Sequence, residues 1–332
     1  MRSYANEQAT LVDLRISVLV PVYNDWRSFT ILLKNLDSAL TAMNYSVRVM
    51  AINDGSILVP PAHFGYFSPA ISRLELVYLV RNLGHQRAIA IGLAALEDDA
   101  DSDVVIVMDA DGEDPPESIV SLLNTHLREP QQIIVATRRK RREGLLFRIF
   151  YQLYKQVFSL LTGVSINFGN FCLIPSAALS HLVYDSNLWN HLAAAVNRSN
   201  YPLCKIELDR GQRYAGHSQM DFQSLLLHGF SAISVYVDII ALRTLVASIA
   251  IGFLSFLGIL IVLGIMVFTN LAIPGWATSA VGLLLVIIFQ TLFFSAGAVI
   301  IILNQRSNAL FIPAQDTKKL IRKREIRYDG KL

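Results

Sequence analysis

Charge is what this sequence has least of. Of 332 residues only 17% are Asp, Glu, Lys or Arg, against 53% hydrophobic, and soluble domains usually carry about a quarter charged residues. The deficit is local: from Thr244 to Gln305 no charged residue occurs. Cysteine is nearly absent too. Cys172 and Cys204 are the only two, which gives no disulfide framework and no metal-ligand spacing. The histidines form no HExxH pair, and GxGxxG, GxxxxGKS/T and GxSxG are all missing. Their absence argues against a dinucleotide oxidoreductase, a P-loop enzyme and a hydrolase built on a nucleophile elbow. No internal repeat, low-complexity segment or Gly/Ser linker interrupts the chain. The opening MRSYANEQATLVD is polar and the next apolar run, ISVLVPVY, is short, so no secretory signal is expected.

The charge-free interval contains two apolar runs, about Thr244–Thr269 and Ala277–Leu303, parted by NLAIPGWATS. Each exceeds the ~20 residues that a helix needs to cross a bilayer core, and so short a connector implies a hairpin. Arg243 precedes it, and Arg306, Lys318, Lys319, Arg322, Lys323 and Arg324 follow. The positive-inside bias then places both flanks in the cytoplasm: residues 1–240 as one domain and 306–332 as a basic tail. Trp276 falls in the outer loop, where interfacial aromatics are common. GFLSFLG within the first run reads either as a small-residue packing face or as ordinary membrane-helix composition.

The first 140 residues alternate. RISVLVPVY, SVRVMAIN, LELVYLVR, DVVIVMD and QIIVATR read as buried strands. SFTILLKNLDSALTAM, HQRAIAIGLAALEDD and PPESIVSLLNTHLRE have helical patterning. Strands alternating with helices predict an α/β fold with a mostly parallel sheet covered on both faces. Ligands of such sheets bind at the carboxyl ends of the strands. Asn24-Asp25, Asn53-Asp54, Arg81-Asn82, Asp109-Ala110-Asp111 and Arg138 all follow or end strands, so they are expected along one edge. Beyond Arg142, segments at about 145–163 and 220–241 are amphipathic and rich in Phe, Tyr and Leu; beside a hairpin they read as interfacial helices.

The fourth strand runs into MDADGEDPPE, which places five carboxylates in the nine positions from Asp109 to Glu117. Residues two apart on an extended chain share a side, so Asp109 and Asp111 can converge, and Gly112 lets the turn bring Glu113 near. Carboxylates gathered in this way repel unless they are protonated or hold a cation. Asp114-Pro115-Pro116-Glu117 has the residues of a helix start and is assigned to structure. Asp109, Asp111 and Glu113 are left for a hard divalent ion, Mg²⁺ or Mn²⁺. A cation beside a parallel sheet suggests phosphate chemistry.

VPVYND, INDGS, RNLGHQRAIAIGLAAL and MDADGEDPPE, in this order and spacing, resemble family 2 glycosyltransferases of the GT-A fold. With the amphipathic segments and the hairpin, the chain is most similar to polyprenyl-phosphate glycosyltransferases over about Ile16–Leu303. The resemblance implies a nucleoside-diphosphate sugar donor, UDP- or GDP-linked, a polyprenyl phosphate acceptor, and inversion at the anomeric carbon. It places Pro21, Tyr23, Asn24, Asp54, Arg81 and Asp109 at the nucleotide, and Asp111 and Glu113 at the metal. Arg138 would approach phosphate. RYAGHSQM resembles an R-x-x-G-x-S lid with Arg213, Gly216 and Ser218, so Asp111, Arg138, Arg213 and Ser218 are the expected catalytic set. The implied location is a bacterial inner membrane with the catalytic domain in the cytoplasm, and relatives that assemble through their membrane regions allow a homo-oligomer.

Departures from that pattern are visible. Asn53 replaces a frequent Asp, and FGNFCLIP around Asn170 and Cys172 stands where the family often has G-D-F-R-L. His217 and Gln219 occupy lid positions where Lys is frequent. His85 and His217 read as hydrogen-bonding neighbours of the site. The run Arg138–Arg142 is wholly basic, but no aromatic stacking platform accompanies it; lipid headgroups or the acceptor phosphate suit it better than nucleic acid. A polysaccharide synthase would carry Q-x-x-R-W and more spans, and Gln212-Arg213-Tyr214 does not match. The remaining alternative is a non-catalytic, nucleotide-binding membrane protein.

Overall fold

The computed structural model describes residues 14–42, 45–65, 67, 70–138, 145–215, 222–269, 273, 275–307 and 309–330. In chain order the elements begin β1 (Ile16–Val22), α1 (Trp26–Ala42), β2 (Val47–Asn53), β3 (Ile71–Leu79), α2 (His85–Asp99), β4 (Val104–Val107), α3 (Ser118–Arg128) and β5 (Ile133–Arg138). Then come α4 (Leu145–Thr162), β6 (Phe168–Pro175), α5 (Ser176–Leu182), α6 (Leu192–Arg198), β7 (Leu203–Leu208) and α7 (Phe222–Ser234). The chain finishes with α8 (Val237–Phe268), α9 (Trp276–Ser307), α10 (Pro313–Asp316) and β8 (Ile321–Asp329). It divides into two units: residues 1–145, 166–235 and 310–332 form one, and residues 146–165 and 236–309 the other.

The first unit is built on an eight-stranded sheet ordered β7-β5-β6-β4-β1-β2-β3-β8. β1 pairs in parallel with β2 and β4, β2 with β3, and β5 with β7. β6 runs antiparallel between β4 and β5, and β8 antiparallel along β3. β4 and β5 each oppose β6 and therefore point the same way. The expected mostly parallel sheet is present, with β6 and β8 as its reversed strands.

Why β1 is central follows from its sequence. All seven residues of ISVLVPV are buried, which suits a strand covered on both faces. Ile16, Val18, Val20 and Val22 join Phe29, Leu33 and Leu36 of α1 in one core layer. Leu19 turns the other way, to Met50, Ile52 and the alanine-rich inner side of α2. The period-two alternation of the strands thus meets a helix on each side. Because β1 to β5 are parallel, Asn24, Asp54, Arg81, Asp109 and Arg138 reach a common edge.

Residues 306–332, read from sequence as a basic tail, contain α10 and β8. IRKREIRYD carries so many charges that it resembles a tail, but charged side chains are also what an edge strand carries to prevent further pairing. The amphipathic segment at 220–241 likewise divides: α7 ends at Ser234 and α8 starts at Val237.

In the second unit α8 and α9 are 32 residues each and are long and apolar enough to cross a membrane. Ala241, Ser248, Ser255 and Val262 are the buried positions of α8, a seven-residue spacing that gives a narrow seam. Gly252 faces Thr291, and Gly258 faces Leu284, so the helices run antiparallel with small residues letting their backbones approach. GFLSFLG is therefore a packing face. Phe158 of α4 meets Tyr236 edge-on at 5.8 Å, and Arg243 donates Nη1 to the Leu160 carbonyl at 3.0 Å.

Candidate active site

At the carboxyl edge, the loops after β1, β2 and β3 are tied together by short polar bonds. Asn24 adopts φ 54°, and its Oδ1 accepts from the N–H groups of Ile57 and Leu58 at 2.8 and 3.0 Å. Ser56 Oγ in turn accepts from Asn24 N–H at 2.9 Å. Gly55, at φ 66°, lies so close to the backbone of Arg81 and Asn82 that a Cβ would collide there. Asp54 is 3% exposed. Its carboxylate accepts from Leu83 N–H at 2.7 Å and Gly84 N–H at 2.9 Å, which fixes the turn that starts α2. Burial raises its pKa above the ordinary carboxylate value, against the opposing pull of those N–H groups and of His85. These loops enclose a cavity of about 140 Å³ lined by Pro21, Tyr23, Asp54, Asn82, Gly84 and His85. Arg81 is exposed beside it.

The acidic stretch after β4 folds on itself. Asp114 Oδ2 accepts from Asp109 N–H at 3.1 Å, and Asp111 Oδ1 accepts from Glu113 N–H at 2.8 Å. α3 begins only at Ser118, with Glu117 at its cap position making no side-chain cap bond. Asp114 thus closes the acidic turn, while Asp111 and Glu113 carry their carboxylates on one short piece of chain. Burial, reinforced by the charge of Asp109, raises the Asp111 pKa.

A second loop, following β7, covers this turn. Gly211 N–H donates to Glu113 O at 2.9 Å and Tyr214 N–H to Asp111 O at 2.8 Å, a pair of main-chain bonds that docks the two loops. Gly112, at φ 90°, packs under the Tyr214 ring, where a Cβ would come within 2.8 Å. The docking aims two arginines at the carboxylates. Arg213 Nη2 lies 2.6 Å from Asp111 Oδ2, and its Nε 3.5 Å from Glu113 Oε1. Arg210 pairs with Glu113 Oε2. Arg213 belongs to the lid motif legible in the sequence, whereas Arg210 belongs to no motif and its three-residue spacing from Arg213 is the one signal it carries.

A relay supports the opposite side. Leu192 N–H donates to Gln86 Oε1 at 2.7 Å, and Gln86 Nε2 donates to Asn170 Oδ1 at 3.0 Å. The fixed backbone donor orients both amides in turn. Asn170 Nδ2 is then 3.0 Å from His85 Nε2, which also lies 3.2 Å from Asp109 Oδ1. Burial would lower the His85 pKa, but the charges of Asp109, Asp54 and Asp111 outweigh it and hold it above the ordinary value. Asn170, which departs from the familiar pattern, is built into this relay.

Of the residues expected at the site, Pro21, Tyr23 and Asp54 line the cavity, and Asp111, Glu113 and Arg213 meet at the docked loops. Asp109 joins the two regions through His85. Arg138 ends β5, and its side chain lies outside the described residues, as do Gly216, His217, Ser218 and Gln219.

Residues 17–186 match glycosyl transferase family 2. The chain belongs to that family, and its α/β architecture is GT-A-like. Among relatives, it is 25% identical over 296 residues to the uncharacterized glycosyltransferase YkcC of Bacillus subtilis (strain 168), covering 88% of this chain and 87% of that protein. It is 26% identical over 224 residues to undecaprenyl-phosphate 4-deoxy-4-formamido-L-arabinose transferase of Photorhabdus laumondii. That match covers 64% of this chain and 65% of the transferase. Among solved structures, glucosyl-3-phosphoglycerate synthase from Mycobacterium tuberculosis with Mn²⁺ and UDP-glucose aligns at TM-score 0.49 and 13% identity. This alignment covers 71% of this chain and 82% of that one.

Proposed function

We propose that the protein transfers a sugar from a nucleoside-diphosphate sugar to a polyprenyl phosphate at the cytoplasmic face of a membrane, with inversion and with help from a divalent cation. One observation carries this reading: the acidic turn, two arginines and a cavity of about 140 Å³ adjoin at the carboxyl edge of the sheet. Family membership and relatives named undecaprenyl-phosphate transferases support the acceptor class. The apolar helices α8 and α9, read as a membrane-spanning hairpin, would keep the enzyme where such lipids reside.

The residues fit a cation. Asp111 and Glu113 present hard oxygens from one turn, and among the described residues no group of three or more His, Cys, Asp or Glu is arranged for a metal. Mg²⁺ and Mn²⁺ accept such sparse protein ligation because water and substrate phosphates complete their shells. When bound, the ion would neutralise the leaving diphosphate.

The chain's own groups do the rest. Asp54 would hold the loop that closes the cavity around the nucleotide, with Pro21 and Tyr23 at its walls and Arg81 beside it. Arg138 at the end of β5, with Arg213 and Ser218 of the lid, would face phosphate groups, since a guanidinium can bridge two of them bidentately. An acceptor phosphate with a second pKa near ~6 is already nucleophilic at cytoplasmic pH. Its oxygen lone pair would form the new bond to the anomeric carbon while the bond to the diphosphate breaks and its electrons leave with the nucleotide. No side chain then needs to remove a proton.

The test uses detergent-purified protein, undecaprenyl phosphate, Mn²⁺ or Mg²⁺, and a panel of radiolabelled UDP- and GDP-sugars. Label extracted with the lipid for one donor is the expected result. No lipid-linked label from any donor would overturn the acceptor assignment. Asp111→Ala should remove metal-dependent transfer, and near wild-type activity in that variant would overturn the metal assignment.

A further inference from the structure

We propose that Arg210 and Arg213 serve as a built-in countercharge: they occupy Asp111 and Glu113 while no cation is bound, and pass to the donor diphosphate when cation and nucleotide enter together. This rests on the reading of the site as one for a nucleoside diphosphate with a divalent ion.

The geometry leaves little room for another arrangement. Asp111 Oδ1 is engaged by Glu113 N–H, Asp111 Oδ2 and Glu113 Oε1 by Arg213, and Glu113 Oε2 by Arg210. A cation arriving at this turn must displace a guanidinium. The backbone need not move for that, because Gly211 N–H and Tyr214 N–H stay bonded to the carbonyls of Glu113 and Asp111. Only the arginine side chains turn, and both have solvent to turn into, at 32% and 28% exposure.

Charge then dictates the coupling. Asp111 is paired with Arg213, and Glu113 with Arg210 and Arg213. A divalent cation entering alone would have to break the Arg210–Glu113 and Arg213–Asp111 ion pairs with nothing new for the guanidiniums to bind. A diphosphate alone would confront the carboxylates. Entering together, the cation takes the carboxylates and the arginines take the diphosphate, so each broken ion pair is replaced by a new one. Cation and nucleotide must therefore strengthen each other's binding, and by the same factor. Arg210, which no motif marks, becomes a binding residue of the loaded state.

The test measures Mn²⁺ binding to the detergent-purified full chain by electron paramagnetic resonance, alone and with UDP or GDP. Wild type should bind Mn²⁺ weakly alone and at least about tenfold more tightly with the matching nucleotide, the scale of one or two charge-assisted hydrogen bonds. Arg210→Gln and Arg213→Gln should each tighten Mn²⁺ binding without nucleotide, by about tenfold, and shrink the gain that nucleotide brings. Arg210→Lys should restore the wild-type pattern. A purely structural role would weaken binding under both conditions. Variants that bind Mn²⁺ alone no more tightly than wild type, while wild type keeps its coupling, overturn the countercharge proposal and leave the transfer reading standing. A wild type that binds neither Mn²⁺ nor nucleotide overturns both. Should Arg213→Gln fail to fold, Arg210→Gln decides the matter alone.

Discussion

Arg324, on the last strand, donates Nε to Glu75 Oε1 at 2.6 Å across 249 positions of sequence. It also donates to both oxygens of Asp99, at 2.9 and 2.6 Å. Arg48 reaches the same two acids at 2.7 and 2.5 Å. Glu75 is 2% exposed, so these arginines are what allow a charge within the sheet. The chain leaves this unit for the apolar hairpin and returns to complete it.

Arg324→Ala should therefore destabilise the unit. Removing one partner of a buried pair costs about 3–5 kcal/mol. Arg324 is one-third exposed and Arg48 remains, so a loss of about 2 kcal/mol is expected. Thermal unfolding in detergent measures it, and an unchanged midpoint would show that β8 is held by main-chain pairing alone.

Acid should act on the same cluster. Burial alone would raise the pKa values of Glu75 and Asp99, but the hydrogen bonds and charges of Arg324 and Arg48 outweigh it and hold both below their ordinary values. Groups depressed in the folded state contribute stability above their unfolded pKa values, about 4, and that stability is lost as pH falls through the folded ones. Wild type should thus resist mild acid and weaken below about pH 4. In Arg324→Ala the loss should begin at higher pH, as tryptophan fluorescence during acid titration would report.

Asp54→Asn tests the cavity. Leu83 and Gly84 N–H each bind a different carboxylate oxygen, so asparagine would set its NH2 donor against one of them, and an unmet buried donor costs about 1–3 kcal/mol. Nucleotide affinity should fall about tenfold or more, with a modest drop in thermal midpoint. Unchanged nucleotide binding would separate Asp54 from the proposed donor pocket.

Gly112→Ala tests the docking of the two loops. A side chain at φ 90° is strained by about 1–3 kcal/mol, and its Cβ would press on the Tyr214 ring. Metal-dependent transfer should drop about tenfold or more, while the unfolding midpoint falls by only a few degrees because the buried core of the sheet is untouched. Tyr214→Ala in the same chain relieves the contact but not the φ strain, so recovery should be partial.

The local signals in the sequence were strong where one segment decides its own fate. Seven buried apolar residues in β1, the alternation of strands with helices, and the uncharged stretch before Arg306 each specify an element through burial and periodicity, which need no distant partner. Parallel strands then bring their carboxyl ends to one edge, so Asp54, Asp109 and Asp111 could be grouped from sequence. What distant partners decide was hidden. β6 inserts antiparallel between β4 and β5, and IRKREIRYD becomes a strand because β3 offers an open edge and Glu75 a buried charge. Arg210 acquires its place only when Gly211 and Tyr214 dock on the acidic turn, and Asn170 only when Gln86 orients its amide. Periodicity reports which side of an element is buried; which charges meet across loops more than ninety residues apart, as Glu113 and Arg210 do, is settled by the packing of the whole sheet.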